Sequence, residues 1–178
     1  MTHGTERHVL TARYLDHALD APPFLGTFKG LSAYTREFTR LGERLVDAAE
    51  AAFGTTFDRE LSVRRSPGRC IIQVGPCAVT VAWLRNRHDA ADGELLIILW
   101  RGSVAPTIHR QVERVRPLRL TATAVDESVY EAEATCESDW RWRSRADPVH
   151  QYSSTSLAAV TVEHVRAVRD GLDRRLTA

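Results

Sequence analysis

The sequence contains a single lysine, Lys29, so arginine supplies nearly all of its positive charge. The formal net charge is only +1, and a chain without excess charge has no long-range attraction to nucleic acid or to an anionic membrane. The arginine bias suits phosphate and interface chemistry, but codon usage in a GC-rich genome produces the same bias, and we take that second interpretation. Composition therefore predicts neither a nucleic-acid partner nor a membrane surface.

The chain also lacks any apolar run that approaches the ~18 residues needed to cross a bilayer. Its first segment, residues 1–10, carries charged and histidine side chains where a signal peptide would have a continuous apolar core. Its three cysteines, Cys70, Cys77 and Cys136, form no C-x-x-C pair and are odd in number. We therefore predict buried, reduced thiols, a cytoplasmic location and no membrane segment.

Motifs of catalysis and cofactor binding are absent too. The chain contains no G-x-S-x-G, no Walker loop, no dinucleotide fingerprint and no H-E-x-x-H. Its seven histidines are scattered. His88, Asp89 and Asp92 share one segment and could meet a cation, but aspartate is typical of turns in general. These absences predict no cofactor and no metal, and they make an enzyme the least favoured class of function.

One long amphipathic helix is predicted where apolar residues recur every three or four positions. Ser32 is in position to cap its start, and Gly54 is in position to end it in a left-handed conformation. Charged side chains occupy the other faces, so the helix has one side to bury. The apolar stripe consists of Leu31, Tyr34, Phe38, Leu41, Leu45, Ala48 and Ala52.

From residue 57 the apolar period changes to two, which indicates strands. Pro67-Gly68 and Gly75-Pro76 predict two-residue turns that keep apolar partners on one face of the resulting hairpins. The segment 94–100 is apolar almost without interruption and predicts a central strand that is covered on both sides. The expected pairs are Val63 with Ile72, Leu61 with Val74, and Ile72 with Val79.

The segment 103–116 is ambiguous, because its helical spacing is short. A further hairpin is predicted over 118–136, with a turn at Asp126-Glu127-Ser128 that sets Ala122 opposite Ala132. The alanines at 122, 124, 132 and 134 would then form a flat patch that a helix can approach closely.

The chain closes on a second amphipathic helix over Ser153–Ala178, for which Ser156 is the expected N-cap. Arginines outside the stripe near its C-terminus suit the helix dipole. The apolar stripe consists of Leu157, Thr161, Val165, Val168, Leu172 and Leu176.

Together these elements predict an α+β fold, with an antiparallel sheet of about six strands flanked by a long helix before it and a long C-terminal helix. Residues 1–178 are expected to form a single domain, with 1–30 as an N-terminal extension that is either helix or strand. The order of elements resembles the helix-grip layout of START-like proteins, whose sheet curls around a C-terminal helix and encloses a pocket for apolar ligands. It also resembles secretion-chaperone-like domains, in which helices flank a small sheet that dimerises and holds a protein partner.

The string Asp139–Arg145 interleaves aromatic and basic residues, a pattern that can bind single-stranded nucleic acid. If the strand from Val129 continues without a bulge, however, Trp140 and Trp142 share the face of Tyr130, which is the core face. We therefore predict core tryptophans and no nucleic-acid partner. The alternative is an aromatic wall of a ligand pocket or an interface, consisting of Trp140, Trp142, Tyr130 and Trp100.

Glu131 and Glu133 are spaced like a pair of catalytic carboxylates, but they lie on the outer face of their strand, where water surrounds them. The function favoured by the sequence is a non-catalytic protein-interaction or self-association module, with a protein partner or a second copy in a homodimer. The alternatives are a binder of a small apolar ligand in a helix-grip-like pocket and an enzyme of unrecognised type. A cavity of about 300 Å³ or more beneath the C-terminal helix would favour the ligand binder, and an exposed apolar surface would favour interaction.

Overall fold

The computed structural model describes residues 24–54, 61–84, 93–104 and 122–176, with the side chains of 172–176 outside the description. Within these ranges the chain is an α+β protein, as predicted, with two long helices and an antiparallel sheet of seven strands. No helix in these ranges is long and apolar enough to cross a membrane. The elements are α1 Phe28–Phe53, β1 Leu61–Ser66, β2 Arg69–Val74, β3 Cys77–Leu84, β4 Glu94–Arg101, β5 Thr123–Glu133, β6 Arg141–Ser144, β7 Gln151–Tyr152 and α2 Ser154–Leu176.

Several sequence predictions fall outside the described residues. They concern the N-terminal extension before residue 24, the candidate cation segment with His88, Asp89 and Asp92, the ambiguous stretch from residue 105 onward, and the start of the strand predicted from residue 118. The single-domain organisation of 1–178 also stays a prediction.

The strands are ordered β1 to β7 as in the sequence, so each strand pairs with the next one along the chain. The two short turns form where predicted, and in each of them a glycine, Gly68 or Gly75, has a positive φ of 69° or 53° that other residues rarely adopt. β4 lies at the centre of the sheet, as its apolar sequence predicts. The confirmed pairs are Leu61 with Val74, Val63 with Ile72, and Ile72 with Val79.

The predicted turn at Asp126-Glu127-Ser128 is wrong, because β5 continues through these residues and pairs them with β4. Pairing with a central strand outweighs the local turn preference, since an interrupted ladder would leave backbone groups of β4 without partners. Ala132 pairs with Trp142 of β6, so the predicted pair of Ala132 with Ala122 and the flat alanine patch do not form.

The chain turns instead between β5 and β6, around the side chain of Asp139. This carboxylate accepts hydrogen bonds from the hydroxyl of Thr135 and from the backbone N–H groups of Thr135 and Cys136, the latter two at 3.0 Å. These hydrogen bonds lower the pKa of Asp139 to about 2, and the bond from the Thr135 hydroxyl makes the largest contribution. The turn carries Cys136 out to solvent, so the prediction of buried thiols is wrong for Cys136 and confirmed for Cys70 and Cys77.

Both helices begin with a cap other than the predicted one. α1 is capped by Thr27 and not by Ser32: the Thr27 hydroxyl accepts a hydrogen bond at 3.1 Å from the N–H three residues later. The backbone of Gly54 is right-handed, with φ −61°, so the predicted left-handed stop is wrong. α2 is capped by Ser153, whose hydroxyl accepts from the Ser156 N–H at 3.1 Å, and Ser156 lies inside the helix. An apolar stripe locates a helix but not its first turn, because a cap depends on a single hydroxyl.

Both helices pack on one face of the sheet, which we call the helix face, and they also pack against each other. Leu41 and Leu45 of α1 and Leu157 of α2 have no exposed area. The strands contribute every second residue to this core, as their pleat requires. The strand residues of the core include Cys70, Ile72, Val74, Cys77, Val79, Val81, Leu95, Ile97, Leu99, Tyr130 and Trp142.

Truncation of the buried stripe of α1 will destabilise the protein. Leu45→Ala should lower the free energy of unfolding by about 2–5 kcal/mol, because the change leaves a cavity in the core. Glu43→Ala, on the exposed side of the same helix, should change it by less than about 0.5 kcal/mol. Urea denaturation of both variants measures the difference, and equal losses would contradict the assignment of the buried side.

Only Cys136 will react quickly with a thiol reagent in the native protein. Cys70 and Cys77 are 3% and 1% exposed, and burial raises the pKa of Cys70, which slows formation of its reactive thiolate. Mass spectrometry after brief labelling should find one modified thiol, and none in the Cys136→Ser variant. Fast modification of two or three thiols would show that the core around β2 and β3 is open.

Candidate functional site

An aromatic cluster fills the space between α1 and one side of the helix face. Tyr34 of α1 stacks on Trp83 of β3 with ring centroids 3.9 Å apart. Tyr34 also meets Trp140 and Trp142 edge-on, at 5.2 and 5.5 Å. Because Trp140 and Trp142 are 5% and 0% exposed, the prediction that they are core residues is confirmed. Edge-to-face contacts of this kind stabilise the core beyond the area that they bury.

The reason for this burial differs from the predicted one. The predicted strand runs without a break from Val129 to Trp142, whereas the chain reverses around Asp139 and Trp142 belongs to the next strand, β6. Trp142 reaches the helix face because it pairs with Ala132 of β5, and cross-strand partners point to the same side of a sheet. The reversal therefore preserves the side on which Trp142 lies.

A chain of hydrogen bonds joins Trp142 to both helices. Its Nε1–H donates to the Ser154 hydroxyl at 3.0 Å, and this hydroxyl donates to the Glu37 carboxylate at 2.9 Å. Arg40 donates to the second Glu37 oxygen at 2.5 Å. Glu37 is 8% exposed, and a buried carboxylate is tolerated only with such partners. One oxygen therefore connects α1 to α2 and, through Ser154, to β6, while the other accepts from Arg40 within α1.

A cleft of about 340 Å³ opens beside this network, at the first turn of α2. Its lining is mixed in charge, with Arg40, Arg141 and Glu137 around the hydroxyls of the first α2 turn. Arg141 donates to the Trp140 carbonyl at 2.8 Å, and Glu137 accepts from Arg36 at 2.7 Å. These contacts engage the charged groups, and the cleft lacks the apolar lining of a site for a small apolar ligand.

The four residues predicted as an aromatic wall do not share one surface. Trp140 and Trp142 fill the core beside the rings of α1. Tyr130 lies on the same face and meets Tyr152 edge-on at 6.0 Å. Trp100 pairs with Ala78 and lies on the opposite face of the sheet. The structure therefore brings together the first two residues but not the fourth, and a ligand-binding role for the set stays a prediction.

The face of the sheet opposite the helices, which we call the reverse face, is apolar as well. Neither of the described helices packs on it, since both contribute to the core on the helix face. Trp100 donates from Nε1 to the Thr80 hydroxyl at 3.0 Å, so both polar groups have a partner. The larger side chains are half-buried and the smaller ones lie buried between them. The buried amide of Gln73 lies on the same side and donates to the backbone carbonyls of Gly75, Cys77 and Gly102. The other residues at the centre of the reverse face are Ile71, Ala78, Thr80, Ala82, Leu96, Ile98, Trp100 and Val129.

Charges of opposite sign flank the reverse face. Arg64 and Arg69 lie on its β1–β2 side, where they border a groove of about 530 Å³. Glu127 lies on β5 at the other side, where Glu94 and Glu131 are paired with Arg143 and Arg145. Arg69 and Glu127 are exposed. The sequence patterns do not identify this surface. The apolar sequence of β4 is the feature of the sequence that points to it. That sequence predicts a strand with two covered faces but not what covers the second.

Glu131 forms ion pairs with two arginines and does not form a catalytic acid–base pair with Glu133. Arg143 donates to it at 2.9 Å and Arg145 at 3.2 Å, and Arg145 also pairs with Glu94. The hydrogen bond from Arg143 is the main cause of a lowered pKa for Glu131. A carboxyl group with a lowered pKa stays ionised at neutral pH and cannot act as a general acid there. Glu133 is exposed on the same side, as predicted for an outer face.

Comparison with protein-family models, with curated proteins and with solved structures finds no match for this chain. The resemblances to START-like proteins and to secretion-chaperone-like domains therefore rest on the order of elements alone. In the part of the chain that the structure describes, no three histidine, cysteine, aspartate or glutamate side chains are grouped to hold a metal ion. A fold alone does not define a function, which depends on the surfaces and contacts of the molecule.

Removal of the Ser154 hydroxyl will destabilise the fold through the buried network. Ser154→Ala leaves the Trp142 indole N–H and one Glu37 oxygen without their partner, so the free energy of unfolding should fall by about 1–3 kcal/mol. Thr155→Ala, at the exposed neighbouring position, is the matched control and should stay within about 0.5 kcal/mol of the parent. Thermal and urea unfolding measure both, and a neutral Ser154→Ala variant would contradict the structural role of the network.

Proposed function

We propose that this protein is a non-catalytic interaction module that associates with a second copy of itself through the reverse face. The observation that carries the proposal is that this face is apolar while both described helices lie on the other side of the sheet. A contiguous apolar surface of this kind on a folded protein is typical of an interaction site. Aromatic residues are enriched at the centre of such sites, and Trp100 supplies one here.

The distribution of charge favours a second copy over an unrelated partner. Basic residues, Arg64 and Arg69, lie on one side of the reverse face, and acidic Glu127 lies on the other. The two arginines on the acidic side, Arg143 and Arg145, are paired with glutamates of the same copy, so Glu127 keeps that side acidic. A surface with opposite charges on its two sides is complementary to a rotated copy of itself. A two-fold dimer uses the same surface on both subunits, so self-complementarity is the property that it requires.

The contacts of the described residues favour interaction over the other two functions. Beneath α2, Trp142, Leu157 and Val165 are buried in a packed core, and the cleft at the start of α2 has a mixed polar lining. The acidic groups that could serve an enzyme, Glu37 and Glu131, are both hydrogen-bonded to arginine. We therefore propose neither an apolar ligand nor a cofactor for this chain.

A charge placed in the centre of the reverse face will abolish self-association. In sedimentation velocity over a concentration series, the parent protein should shift from monomer to dimer. Ile98→Arg should remain monomeric, because the interface would bury an unpaired guanidinium. Val149→Arg makes the same change at an apolar residue that is 88% exposed on another surface, and it should dimerise like the parent.

Circular dichroism and thermal unfolding of the same samples verify that Ile98→Arg remains folded. A parent protein that is monomeric at every concentration would overturn the proposal. If Ile98→Arg then also unfolds at a markedly lower temperature, the reverse face is covered within one chain. Equal weakening of the dimer by Ile98→Arg and Val149→Arg would place the interface elsewhere and would overturn the proposal as well.

A further inference from the structure

One row of residues crosses the reverse face from a basic end to an acidic end. Each member is the cross-strand partner of the next: Arg64 of β1, Ile71 of β2, Thr80 of β3, Ile98 of β4 and Glu127 of β5. Cross-strand partners point to the same side of a sheet. Neighbouring strands are about 4.8 Å apart, so the row spans roughly 19 Å. When the order of the row is reversed, isoleucine again occupies the second and fourth positions, and the positive and negative ends change places.

We infer that two copies pack reverse face to reverse face about a two-fold axis that is parallel to the strands and passes close to Thr80. This inference rests on the proposed self-association and adds its geometry. The rotation places Arg64 of each copy against Glu127 of the other copy. It also places Ile71 of each copy against Ile98 of the other.

The charges select this axis over the alternative. A two-fold axis that lies between the sheets but runs across the strands would set β1 against β1 and β5 against β5. Arg64 would then face Arg64, and Glu127 would face Glu127. Juxtaposed like charges are strongly unfavourable at an interface, whereas the parallel axis makes the same ion pair twice because the interface is two-fold symmetric.

The residue on the axis suits its position. A side chain on a two-fold axis meets its own copy, so a small one is required where two sheets pack about 10 Å apart. Thr80 is small, and its hydroxyl already accepts a hydrogen bond from the Trp100 indole at 3.0 Å. Its polar atom therefore keeps a partner when the interface excludes water. The isoleucines on both sides of Thr80 supply the apolar contact.

The test reverses the charges at the two ends of the row. Arg64→Glu alone and Glu127→Arg alone should each raise the dimer dissociation constant by about tenfold, because each variant turns two ion pairs into two repulsive pairs. An equimolar mixture of the two variants should form a heterodimer with nearly the parent affinity, since every contact is again between opposite charges. The double variant should recover parent affinity as a homodimer. Lys29→Glu is the control, because it makes the same change of charge at an exposed residue of α1.

Sedimentation of the single variants, the mixture and the double variant separates the two proposals. If both single variants are weakened and neither the mixture nor the double variant recovers, the axis is wrong while self-association stands. If Ile98→Arg is monomeric but the single charge variants match Lys29→Glu, the paired ends are wrong and self-association again stands. A parent protein that never dimerises overturns both proposals.

Discussion

The placement of both helices on one face of the sheet determines most of the other features of the molecule. α1 and α2 meet over that face, where Glu37 accepts hydrogen bonds from Ser154 and Arg40. Ser154 in turn accepts one from Trp142 of β6. Because a buried carboxylate is stable only while it is hydrogen-bonded, these contacts fix α1, the start of α2 and β6 relative to one another. The aromatic cluster around Tyr34 then fills the space that the three elements enclose.

Because both described helices lie on one face, neither covers the second face of the sheet, and the proposed function depends on what covers that face. Strands β3 and β4 carry apolar residues on both sides, so burial on the helix face accounts for only part of their apolar sequence. In the proposed dimer, an identical reverse face covers the rest. The proposed interaction needs no catalytic group. Three of the described carboxylates, Glu37, Glu131 and Asp139, accept hydrogen bonds that hold elements or turns of the fold in place.

The sequence predicted what depends on periodicity and missed what depends on competition between local and long-range contacts. Two apolar stripes predict both helices, and two short turns predict the register of β1 to β3. The turn at Asp126-Glu127-Ser128 failed because pairing with β4 overrides three turn-forming residues. The turn that does form, between β5 and β6, depends on hydrogen bonds to the Asp139 carboxylate, and these do not show in the spacing of apolar residues. Trp142 was predicted on the correct side although its strand was not. The apolar sequence of β4 predicts that the reverse face is covered. It does not predict what covers it, because a pattern of apolar residues carries no information about the identity of the group packed against them.

The most direct test of the account is an isotope-filtered NOE experiment on a dimer formed from one ¹³C-labelled and one unlabelled copy of the parent protein. Only contacts between copies give signals in this spectrum. The account predicts cross-peaks from the methyl groups of Ile71 to those of Ile98, and from the Thr80 methyl group to its own counterpart in the other copy. Intermolecular signals that come from other residues, or a spectrum with none at concentrations where the protein is dimeric, would contradict it.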